Sequence, residues 1–115
     1  MPSIIYKICD RPLWAAAEAA GAFAGAPVDH ADGYIHFSTA DQVAETAEKH
    51  FVDADDLLLI AVDASVLGDA LHYAPSRGGA LFPHLYGTLP MSAVMWVQPL
   101  ERDADGLFLF PELMP

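Results

Sequence analysis

Two short stretches hold most of the residues able to do chemistry, Gly33-Tyr34-Ile35-His36-Phe37-Ser38-Thr39 and Arg77-Gly78-Gly79-Ala80-Leu81-Phe82-Pro83-His84-Leu85-Tyr86-Gly87. In the first, an extended chain sends Ile35 and Phe37 to one side and Tyr34, His36 and Ser38 to the other. A histidine off the apolar side can act as a base, hold a ribose hydroxyl or bind a metal. It can equally hydrogen-bond a backbone carbonyl and do nothing more. Thr39 with Gln42 three residues on has the form of a capping box, which predicts a helix starting at Thr39. The free amides of such a helix start attract phosphate or carboxylate, although capping alone accounts for Thr39. In the second stretch, Gly78 and Gly79 let backbone approach a ligand closely. Pro83 forbids a central-strand hydrogen bond at that position, and if the segment is extended His84 and Tyr86 share a face. Arg77, His84 and Tyr86 on a glycine-bounded loop have the make-up of a ligand rim. The alternative is a rigid turn in which Tyr86 packs its ring and Arg77 is a solvated surface residue.

Other chemistries fare worse. A metal could use His36 and His84 with Asp29 or His30, but no HExxH or CxxC spacing supports it, and no metal is expected. A serine hydrolase needs a GxSxG elbow, which is absent. His50 ends a helix and meets its dipole, and His72 has no evident partner. Cys9, the one cysteine, lies in an apolar run and reads as a small core residue.

These stretches need elements to position them. Ile4 to Ile8 reads as a strand. Asp10 caps a helix with Pro12 in its first turn, an alanine-rich run from Leu13 to Ala20, and Gly21 as its stop. Leu13, Trp14 and Ala17 form its buried stripe. Residues 25–33 read as an irregular loop, marked by Gly25, Pro27, Asp29, Asp32 and Gly33. In the second helix Ala40, Val43, Ala44, Ala47 and Phe51 share a face. Leu57 to Val62 has no alternation, as expected of a strand covered on both faces. Leu71 to Tyr73, Ala93 to Val97 (ended by Pro99) and Gly106 to Phe110 are further strands, and Pro111 to Pro115 is a tail. Two early helices and five or six strands predict an α+β fold rather than βαβ alternation.

The chain has 115 residues, enough for one domain over 1–115 with residues 111–115 as its tail. Sixteen acidic residues against five basic ones give a net charge of −11. Duplex nucleic acid and anionic membranes are thereby excluded as partners, while a small anionic ligand held by local donors is not. No basic n-region precedes a long apolar stretch, so a cytoplasmic location is expected.

With those residues in view, the chain resembles a bacterial and plant family of unknown function, number 952 among the catalogued domains of unknown function. The resemblance covers nearly the whole chain. It rests on Ile5-Tyr6-Lys7-Ile8, Trp14, Asp32-Gly33-Tyr34-Ile35-His36-Phe37-Ser38-Thr39, Gln42, Thr46-Ala47 and Phe82-Pro83-His84-Leu85-Tyr86-Gly87. Members often carry a glutamate before the Arg-Gly-Gly loop, where this chain has Ala74. The family is distantly similar to the ADP-ribosyltransferase fold, a split, mostly antiparallel β structure clasping NAD. That likeness implies NAD or a related nucleotide as ligand or substrate, and ADP-ribosyl transfer or NAD cleavage as activity. It assigns the ribose to His36 and Ser38 and stacking to Tyr86; in the same reading of the cleft, His84 or Arg77 is expected to meet phosphate or carboxamide. Glu101 is the nearest late acid. The rival reading is a non-catalytic small-molecule binding or sensor domain, and a third is a purely structural interaction module. On either of the first two, His36 and His84 are expected to line one cleft.

Overall fold

The computed structural model describes residues 3–75 and 79–115. Strand β1 (Ile4–Asp10) leads into helix α1 (Arg11–Ala20), capped by the Asp10 carboxylate on the Leu13 amide and closed by Gly21 at φ 85°. Then follow β2 (Ala22–Phe23), α2 (Pro27–Asp32), β3 (Ile35–His36), α3 (Val43–His50) and β4 (Leu57–Asp63). Two short 3-10 turns lead to β5 (Leu71–Pro75), β6 (Leu81–Leu85), β7 (Leu89–Pro90), β8 (Val94–Arg102) and β9 (Phe108–Leu109). The ladders are antiparallel and form three sheets, ordered β1-β4-β8-β9, β2-β7 and β3-β6-β5. The class is α+β, as composition and patterning predicted.

β4 explains the layering. Its residues alternate between two cores although all six of Leu57 to Val62 are apolar and buried. Leu58, Ile60 and Val62 face Trp14 of α1 and Ile35 and Leu85 of the small three-stranded sheet, β3-β6-β5, while Leu57, Leu59 and Ala61 face Val43 and Ala47 of α3. The small sheet joins the large one through Tyr6 and Ser38, which exchange both backbone hydrogen bonds at 2.8 and 2.9 Å.

Several expectations need correction. The stretch from Gly25 to Gly33 holds a helix, α2. Pro27 opens it, the Asp29 carboxylate takes the Ala26 amide at 2.7 Å, and Gly33 closes it at φ 86°. The residues that looked like loop punctuation are its caps. The second helix starts at Val43, not Thr39. Gln42 does reach back to the Thr39 amide at 3.0 Å, but the intervening residues form a turn whose amides from Gln42 and Val43 bond the Thr39 carbonyl. Ala44, placed on its buried face, is exposed. Pro83 sits within β6, the central strand of the small sheet, and as expected it donates no ladder hydrogen bond there. Its carbonyl accepts from Phe37 N, so its missing N–H also faces Phe37, just past the last paired residue of β3. Pro99 does not end β8, since β9 reaches only Glu101 and Arg102 and leaves β8 one neighbour at Pro99. Residues 111–115 are no loose tail, because Leu113 packs on the second core and Tyr6 Oη donates to the Met114 carbonyl at 2.7 Å.

Candidate functional site

The small sheet brings the two stretches together. His36 of β3 pairs directly with His84 of β6, and His84 in turn with His72 of β5, so three histidines form one row across the sheet. Alternation puts Ile35 and Leu85 into the core and turns His36, Ser38, Phe82 and His84 outward under β1 and α3. There they line a cavity of about 500 Å³ together with Lys7 of β1, Asp32 of α2, and Thr46 and His50 of α3.

Asp29, only 2% exposed, is the hub of the site. Its carboxylate accepts from Lys7 Nζ at 3.0 Å, from the Ala26 amide at 2.7 Å, and from both the amide and Nδ1 of His36 at 3.0 and 2.6 Å. Burial alone would raise its pKa, but the His36 hydrogen bond and the Lys7 charge outweigh burial and hold the carboxyl well below the usual range. Gly25 makes room for it. A Cβ there would sit 3.0 Å from the Asp29 Cβ, on backbone with φ 117°. With Nδ1 engaged, His36 turns Nε2 to the cavity side, where Asp32 Oδ2 meets it at 2.8 Å.

His84 is the opposite case. It is 3% exposed, yet neither ring nitrogen has a hydrogen-bond partner among the described residues. Its ring stacks on Tyr34, with centroids 4.0 Å apart and planes 19° apart. It lies 5.8 Å from the His36 ring. Burial lowers its pKa first, and His36 adds to that effect, so the imidazole is held neutral.

The remaining expected site residues divide. Ser38 lines the cavity and its hydroxyl bonds Thr46 Oγ1 at 3.0 Å. Thr39 and Gly79 do not line it, and Arg77 and Gly78 lie outside the described residues. Tyr86 does not line it either: half exposed, it packs against the rings of Tyr34 and His72, and Tyr34 is the aromatic that covers a histidine. Glu101 borders a different concavity, with Arg11 and Arg102. Sequence reasoning missed Lys7 and the orienting role of Asp29. A charged residue inside the apolar run Ile4 to Cys9 was the available signal, since a buried lysine needs a buried partner.

The fold and site define a small antiparallel α+β domain with a histidine-and-carboxylate cleft at the edge of its minor sheet. The chain belongs to the family described as protein of unknown function (DUF952), whose model matches residues 8–97. No curated protein matches it. Among solved structures it is similar to protein CC0527 from Caulobacter crescentus. The crystal structure of that protein is 48% identical, with a TM-score of 0.88 over 93% of this chain and 94% of that one. The solution structure of the same protein is 50% identical, with a TM-score of 0.81 over 90% of each chain.

Proposed function

We propose that the cleft binds a small organic ligand, with a nicotinamide nucleotide as first candidate, and that His36 and His84 are the groups that exchange protons and hydrogen bonds with it. One observation carries this reading: a buried imidazole with both nitrogens unpartnered among the described residues, on the wall of a cavity of about 500 Å³. Leaving such a group unsatisfied costs about 1–3 kcal/mol, and a cavity of this size suits a drug-sized molecule. His36, gripped at Nδ1 by Asp29, has the arrangement of an oriented general base. ADP-ribosyl transfer or NAD cleavage is the finer activity, supported by the pairing of a strand histidine with Ser38 on the cavity wall.

The rival is a non-catalytic binding or sensor domain. It is favoured by the engagement of both His36 nitrogens by carboxylates, which leaves no bare base nitrogen in the ligand-free cleft. A thermal-shift series with NAD, ADP-ribose, nicotinamide and AMP, on wild type and His36→Ala, tests the binding. Ligand at about 100 times its dissociation constant should add roughly 2.7 kcal/mol, which is several degrees for a domain of this size. No shift with any of the four, or equal shifts in both proteins, rejects the nucleotide. Incubation with NAD followed by product analysis separates the rivals: released nicotinamide supports the enzyme, and intact NAD supports the binding domain.

A further inference from the structure

We propose that the cavity holds an oxyanion of its ligand, a carboxylate or phosphate group, between His36 and His84, in the place that the Asp32 carboxylate now takes. The assignment deepens the small-molecule reading of the cleft and rests on it.

The two aspartates on His36 are not equivalent. Asp29 is buried and makes four hydrogen bonds, so it is structural. Asp32 has a side chain 48% exposed, and its carboxylate makes no other hydrogen bond among the described residues. It is the last residue of a six-residue helix, followed by Gly33 in the left-handed region. A half-exposed carboxylate on one imidazole contact contributes little stability, and it can turn to solvent without leaving a buried group unpaired. What it covers is the one polar atom of His36 that Asp29 leaves over.

His84 supplies the second donor. Its neutral ring carries one N–H that nothing among the described residues receives, and it stands directly across the ladder from His36. With centroids 5.8 Å apart, the two rings can each take one oxygen of a single planar or tetrahedral group. Asp32 itself reaches only His36. An incoming oxyanion that bridges both rings makes the contact Asp32 makes and also satisfies the buried N–H. The local charge permits the exchange. With Asp32 turned away, Lys7 and Asp29 offset one another, and among the described residues no other carboxylate lines the cavity.

The experiment follows the ring nitrogen resonances of His36 and His84 in ¹⁵N-labelled protein. Inorganic phosphate and sodium acetate are titrated separately at constant ionic strength, with chloride as the balancing salt. Both rings should shift together and saturate. Binding should tighten about two- to five-fold in Asp32→Ala and Asp32→Asn, the exchange of one exposed ion pair. His84→Phe, which keeps a ring on Tyr34, should weaken it. Stronger binding of phosphate identifies a phosphoryl group, and stronger binding of acetate a carboxylate. A response from His36 alone, or Asp32 variants that bind no more tightly than wild type, overturns the proposal. If the four nicotinamide-related compounds fail while the Asp32 variants tighten phosphate, the oxyanion site stands and the nucleotide falls. If those compounds bind and neither phosphate nor acetate moves the rings, the cavity stands and the oxyanion site falls.

Discussion

Lys7 sits among buried apolar neighbours on β1, and its own exposure is 6%. A charge in that position persists only with a buried counter-charge, and Asp29 supplies it at 3.0 Å. Lys7→Met should therefore cost about 3–5 kcal/mol in urea unfolding, because it strands the Asp29 carboxylate. Acid should act on the site in two stages. His84 has a lowered pKa, so below about pH 6.5 the unfolded chain binds a proton that the folded ring refuses. Stability is then lost as pH falls through that value, and His84→Phe should flatten this limb when unfolding free energy is compared between pH 8 and 5. Asp29, with its pKa depressed, contributes stability that is full above about pH 4 and is lost as pH falls below it. Asp29→Asn should remove that second limb while lowering stability at neutral pH. That His36 and His84 would line one cavity was legible from their polar positions between apolar ones. The grip of Asp29 on His36 was not, because it depends on a short helix that the Gly, Pro and Asp residues disguised as a loop.

At the scale of elements, β4 and α2 make contrasting cases. The unbroken run Leu57 to Val62 announced a strand buried on both faces, and β4 has a core on each side. Leu59, fully buried under α3, should cost about 2–5 kcal/mol when cut to Ala. That is more than His36→Ala should cost at its half-exposed position, expected to be below about 2 kcal/mol. Urea melts of the two variants, run side by side, check the order. Helix α2 depends on backbone geometry at its approach. Gly25→Ala forces a side chain onto φ 117° and against Asp29, and should destabilise by more than about 1 kcal/mol. It should also disturb the His36 ring signals by displacing the carboxylate that orients them. A change in stability with unaltered His36 resonances would separate α2 from the site.

Over the whole molecule, Tyr6 ties three distant parts of the chain together. Its backbone bridges to Ser38, its ring packs beside Trp96 of β8, and its hydroxyl holds the Met114 carbonyl. Tyr6→Phe should lose about 0.5–1.5 kcal/mol, with amide exchange quickening around residues 111–115 more than in β4. Among the described residues no helix is long and apolar enough to cross a membrane. The sequence by itself determined the α+β class, the caps of α1, the burial of β4 and the outward face of the His36 strand. Each of these follows from local periodicity or from backbone limits at Pro and Gly, which act within a few residues. Only the tertiary structure decided that His36 and His84 stand opposite each other, that Lys7 and Asp29 meet, and that the chain's last residues dock on Tyr6. These are pairings between segments far apart in the chain. They are fixed by which sheet edges and core faces fit together, and no local pattern encodes that choice.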